Sequence, residues 1–189
     1  TTASATSSTA MGEDSTASGA YSLASGYNTT ASNSATVALG NSTSASGHTA
    51  IAIGYGTTAS GGYTTAMGYD TEASGTSSTA MGEETTANGE YSTAMGYNTT
   101  ASGDASTVMG EETTASDYGS LVIGQYNDSG SSVTNNATQF NTANTAFVIG
   151  NGTASNAKSD AFKVMFNGDT TVSNDLTVSG DVNISSDVR

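Results

Sequence analysis

The chain has 189 residues, a formal net charge of −14 and no Cys, Trp or Pro. Its only Lys and Arg residues are Lys158, Lys163 and Arg189. The missing cysteines exclude a disulfide framework and a thiolate metal site, and a cation-free stretch from 1 to 157 argues against a nucleic-acid partner, whose phosphates need Lys or Arg. Apolar residues make up 34%, below the about 45–50% of globular domains, a composition that signals disorder unless a repeat organises the chain.

A repeat does organise it. Glycine recurs at 12, 26, 40, 54, 68, 82, 96, 110 and 124, a spacing of fourteen. Midway lie Gly19, Asn33, Gly47, Gly61, Gly75, Gly89, Gly103 and Asp117. Gly, Asn and Asp tolerate a left-handed backbone best, so each mid-point reads as a turn. The unit is two seven-residue halves, each a short strand followed by a tight turn. Strands of about five residues, two to a coil, fit neither a helix bundle nor a wide three-sided β-helix. They predict an all-β chain: a narrow, two-sided parallel β-roll of 14-residue coils over residues 1–124. With coils stacked at about 4.8 Å, the rod would stand about 40 Å tall.

Ala sits two residues before the glycine or mid-point in both halves, from Ala10 and Ala17 onward. Side chains two apart share a face. Glu72, three before a mid-point, marks the solvated face, which sends the Ala column inward. The bulky column before the first-half glycine then points out: Met11, Leu39, Ile53, Met67, Met81, Met95, Met109 and Ile123, with Leu23, Val37, Ile51 and Leu121 beside it. An apolar ladder of that length needs a cover. Closed, symmetric self-association about the long axis supplies one, and those eight residues are the expected interface. The alternative puts them inside a monomeric roll.

Further along, residues 125–150 read as a degenerate capping coil with an insertion, ending at Thr145-Ala-Phe-Val-Ile-Gly150. Residues 151–189 read as a C-terminal strand region: Ala161-Phe-Lys-Val-Met-Phe-Asn-Gly168 forms a strand and turn, and Val172, Leu176, Val178, Val182 and Ile184 alternate with polar residues.

The units Ser22-Leu-Ala-Ser-Gly26, Thr36-Val-Ala-Leu-Gly40, Thr49-Ala-Ile-Ala-Ile-Gly54 and Ser92-Thr-Ala-Met-Gly96 resemble the head repeats of YadA-like trimeric autotransporter adhesins. That resemblance implies a left-handed parallel β-roll, a homotrimer and adhesion to host surfaces. Met stands where the family usually has Ile or Val in several coils. The ending Val182-Asn-Ile-Ser-Ser-Asp-Val-Arg189 is similar to the junction before the intramolecular chaperone of endosialidase-type phage tail fibres and spikes. This second resemblance implies a trimerisation domain beyond the chain. Together with the absence of heptads, it makes a phage or virus fibre the leading expectation, with a bacterial adhesin head as the alternative.

Several residue sets bear on chemistry. Lone His48 has no thiol or second His to form a metal cluster or a catalytic base, and the many hydroxyls lack a general base, so neither an enzyme nor a cofactor is expected. Acidic pairs at Glu13-Asp14, Glu83-Glu84 and Glu111-Glu112 read as a solvated edge rather than a calcium site. Tyr27, Tyr55, Tyr69 and Tyr97 share one turn position and are candidate contacts to a host receptor or glycan, or else a shield for the roll's edge. Thr pairs such as Thr57-Thr58 and Thr85-Thr86 resemble the Thr ranks of ice-binding solenoids, although β propensity on a solvated strand also explains them. No run of 18 apolar residues suggests a membrane span. The expected setting is extracellular, on a virion fibre or a cell surface.

Overall fold

The computed structural model describes residues 1–179 and 181, and among these every regular element is a strand. The phage-like junction at 182–189 lies outside the described residues. Each glycine-ended half makes a five-residue strand, such as Thr65–Tyr69 or Thr79–Glu83. Equivalent residues fourteen apart pair in parallel: Ala66 on Ala80, Met67 on Met81, Gly68 on Gly82. Two sheets result, one of nine strands and one of twelve, both parallel throughout the coils, and the chain passes between them once per half-coil. This is the expected β-solenoid.

The second wall is thinner than the sequence suggests, because its strands are two residues long, as in Thr86–Ala87. The Ala101 carbonyl accepts from both Asn88 N (3.0 Å) and Gly89 N (3.2 Å). That shared acceptor halts the one-to-one ladder and turns the chain.

The left-handed positions also differ from expectation. They fall on every seventh residue from Ser7 to Tyr126, with φ between 43° and 68°. In the second half they lie two residues past the mid-point, at Tyr21, Ala35, Thr49, Tyr63, Ser77, Tyr91, Ala105 and Gly119. The mid-point residues are small for another reason: a Cβ on Gly75 would stand 2.0 Å from the Gly89 carbonyl oxygen of the next coil. The first-half glycines meet both demands. Gly82 has φ +129°, and its Cβ would stand 2.0 Å from the Gly96 carbonyl oxygen. A left-handed non-glycine residue costs about 1–2 kcal/mol. Each rung offsets some of this through a bond to the previous coil, such as Tyr63 N to His48 O at 2.8 Å.

Between the walls the Ala column is fully buried from Ala17 to Ala115, with Val108, Val122 and Val148 joining near the end. Ser or Thr, with Ala50 the one exception, fills the other interior positions of the coils: Thr43, Thr57, Thr71, Thr85, Thr99 and Thr113 form one buried file. The first residue of each Thr pair is thus core, and only the second, such as Thr58 or Thr86, faces out.

At the far end the walls part company. The nine-stranded wall stops at Thr114–Ala115. Asn127 imitates its next rung, accepting from Thr114 N (2.8 Å) and donating to Thr114 O (2.9 Å). The insertion then folds over the opening, tied by Thr134 N (2.6 Å) and Thr145 N (2.7 Å) to the two carboxylate oxygens of buried Asp117. The twelve-stranded wall continues through Thr145–Asn151, parallel, and then Asp160–Met165 and Thr170–Val172, both antiparallel. Leu176 and Val178 belong to no strand and are exposed. Their alternation marks strand potential, but the ladder offers them no partner beyond Thr170–Val172 among the described residues.

Candidate functional surfaces

The outer face of the twelve-stranded wall carries the apolar ladder, and it points away from the core as the alternation requires. Leu39, Ile53, Met67, Met81, Met95 and Ile123 are half-buried against their neighbours in adjacent coils, while Met11 and Met109 are exposed. Ser25 is the one polar interruption. A second rank runs alongside: Leu23, Val37 and Ile51, then Thr from 65 to 107, then Leu121. The ladder does not end with the repeats. Leu121 pairs with Phe147 and Ile123 with Ile149. Phe147 and Ile149 then face Val164 and Phe162, and Phe162 faces Val172. Phe147 and Phe162 meet edge to face, with centroids 6.0 Å apart.

Along the edge formed by the first-half turns, Tyr27, Tyr55, Tyr69 and Tyr97 are 43–48% exposed. Tyr55 and Tyr69 stack with centroids 5.1 Å apart and planes 6° from parallel. Glu83-Glu84 intervenes before Tyr97, so the four do not form one continuous strip. The Asp70 carboxylate holds the Tyr69 phenol above its usual range, with some desolvation and the charges of Tyr55, Glu83 and Glu84 adding to the effect. Glu84 acts in the same way on Tyr97, ahead of desolvation and Glu83, Glu112 and Glu111. These phenols therefore stay neutral hydrogen-bond donors on an acidic edge.

The opposite edge holds a second rank that the sequence reading missed. Tyr21, Tyr63 and Tyr91 are 62–67% exposed, more than the first set, and stand at left-handed positions. His48 lies edge to face with Tyr63 at 5.5 Å, and its Nδ1 is 2.9 Å from the Thr49 hydroxyl. The signal was the period itself: 21, 63 and 91 are congruent modulo fourteen, as are 27, 55, 69 and 97.

Among the described residues no group of three or more His, Cys, Asp or Glu gathers to hold a metal ion. No helix among them is long and apolar enough to cross a membrane. The outer face of the nine-stranded wall presents Thr16, Thr30, Ser44, Thr58, Glu72, Thr86, Thr100 and Thr114, so Glu72 interrupts its hydroxyl rank.

A family model described as the YadA head domain repeat (2 copies) matches residues 3–29, 17–43, 45–71, 73–99 and 101–127. No match is found among curated proteins.

Proposed function

Because the chain belongs to the YadA head family, we propose that it is the head of a homotrimeric, extracellular attachment protein that binds host surfaces through repeated weak contacts. The observation that carries this reading is the apolar ladder, which runs the length of the roll and on through Phe147, Ile149, Phe162 and Val164. A ribbon so long is too large to leave in water. Three copies packed around their common long axis bury it and turn the tyrosine-bearing edges outward.

Attachment then works by number. Tyr27, Tyr55, Tyr69 and Tyr97, in three copies, give many modest sites whose linkage multiplies their effect. No catalytic step is needed. The matched repeats favour an adhesin head on a cell surface; the particle-borne fibre rests on the resemblance at residues 182–189 and the absence of heptads. The ice-binding alternative is weakened by Glu72, whose charge breaks the Thr rank.

Two measurements test the proposal. Substituting Met81→Asp and Met95→Asp together is expected to convert the trimer to monomers by light scattering, with the far-ultraviolet dichroism of the roll retained; an unchanged trimer mass would overturn the axial arrangement. Replacing all four tyrosines by Ser in the intact fibre is expected to lower cell adhesion many-fold, while any single replacement barely matters. Undiminished adhesion would leave the repeats as a spacer.

A further inference from the structure

The two walls end at different heights, and the mismatch leaves a cavity. Each inner position of the twelve-stranded wall is closed off by the other wall as far as Ala115. The inner column runs Ala94, Val108, Val122, Val148 in register, and its next member is Lys163, followed by Thr171. A lysine thus occupies the place of the core alanines where the opposite wall is missing. Around it lies a cleft of about 450 Å³, lined by Asp128 and Ser129 of the insertion, Asn151, Lys158, Ser159 and Asp160, and Thr171, Ser173 and Asn174.

The chemistry of this lining is unlike the rest of the molecule. Lys158 and Lys163 are the only Lys or Arg side chains among the described residues, and both border this one cleft. Asp160 holds the insertion in place: its two carboxylate oxygens accept from Asp128 N (2.9 Å) and Ser129 N (2.8 Å). The Asn151 Oδ1 accepts from the Ser159 hydroxyl at 2.7 Å, which fixes that amide. Two lysines, two aspartates, the fixed Asn151 amide and several hydroxyls therefore border one space of the size that small ligands occupy. Ammonium groups match a carboxylate. The amides and Asp128 match the vicinal hydroxyls of a sugar.

We propose that the cleft binds a carboxylate-bearing monosaccharide, such as a uronic acid at the end of an acidic glycan. No aromatic ring borders the cleft, so recognition rests on charge and hydrogen bonds and weakens as salt screens the lysines. The site is separate from the tyrosine edges and stands or falls independently of them.

The test is a saturation-transfer NMR titration of the intact chain with glucuronate, glucose and inorganic phosphate. Saturable glucuronate binding, at least tenfold weaker for glucose and weakened at least tenfold by Lys163→Gln, is the expected result. Lys158→Gln is expected to weaken it less, because Lys158 is the more exposed of the two. Thermal melts confirm that both variants stay folded. Absence of saturable glucuronate binding, equal binding of glucose, or undiminished binding by the double Lys variant would overturn the proposal. Phosphate competing as well as glucuronate would reduce the cleft to a plain anion site and overturn the saccharide assignment. The quadruple Tyr variant is expected to bind glucuronate normally, so loss of adhesion and loss of this site are told apart.

Discussion

The roll and the strands that follow it share one sheet yet obey different rules. In the coils up to Ala115 an inward side chain meets a second wall and is Ala, Val, Ser or Thr. In Asp160–Met165 the same inward column holds Lys163, because the second wall has stopped. The outward column does not change: Met109 and Ile123 pass into Ile149 and Phe162 without interruption. Inner residue choice is therefore set by whether a wall stands opposite, whereas the outer face stays apolar on both sides of that boundary. Those are separate constraints on one strand.

Exchanging residue types between the two regions breaks the comparison most directly. Ala80→Lys places an ammonium group in a space sized for a methyl group, with no partner and no route to water. Loss of more than about 5 kcal/mol, or outright failure to fold, is expected. Lys163→Ala is expected to change stability by less than about 1 kcal/mol. Urea unfolding of both variants reads the contrast. A folded Ala80→Lys protein of near-normal midpoint would show that the roll's interior is not closed.

A smaller contrast separates the two glycine columns. Gly82 combines a φ of +129° with a contact to the next coil, while Gly75 has the contact alone. The first-half column is glycine in all nine coils, whereas the second admits Asn33 and Asp117. Gly82→Asn is therefore expected to cost roughly 3–5 kcal/mol, from strain and overpacking together. Gly75→Asn is expected to cost about 1–3 kcal/mol. Equal losses would mean that backbone conformation does not distinguish the columns.

Where neighbours are alike, sequence reads well. The spacing of glycine and the position of Glu72 sufficed for the two-walled roll, the inward Ala column and the outward Met and Ile ladder. The buried hydroxyl file was equally visible in principle: positions 15, 22, 29, 36 and so on to 120 are Ser or Thr, with Ala50 the one exception. It was missed because adjacent threonines look like one solvated strand. The left-handed residues were misplaced because Tyr63 and Ala35 carry no intrinsic preference for that conformation; stacking imposes it on them. Lys163 could not be assigned from sequence, since its surroundings depend on where the other wall ends. Leu176 and Val178 alternated correctly and still formed no strand, because alternation does not supply a partner.

The hydroxyl file itself sharpens the picture of the interior. Thr71 Oγ1 is buried with no hydrogen-bond partner, whereas Thr64 Oγ1 donates to the Gly61 carbonyl at 2.8 Å. Val keeps the shape and removes the hydroxyl. Thr71→Val is expected to raise stability by about 1 kcal/mol, and Thr64→Val to lower it by a similar amount. A destabilised Thr71→Val would show that its hydroxyl finds a partner in solution.

The smallest expected effect concerns charge, and it too differs between the regions. The roll contains no Lys or Arg, while both described lysines lie in the C-terminal part. On the tyrosine edge Glu83-Glu84 and Glu111-Glu112 flank the coil of Tyr97, whose raised pKa reports both pairs at once. Coils stack at about 4.8 Å, so carboxylates two coils apart lie well inside the screening length of about 30 Å at 10 mM salt, and near its value of about 8 Å at physiological salt. Repulsion along this edge opposes the stacked state and has no cation in the roll to relieve it. The melting temperature is therefore expected to rise by about 1–2 °C between 10 and 150 mM NaCl. Replacing Glu84 and Glu112 by Gln is expected to flatten that slope by raising the low-salt value. Lys163→Gln leaves the edge untouched and is expected to keep the slope. A melting temperature that is flat or falls with salt in the unaltered chain would show that repulsion along the edge is too weak to matter.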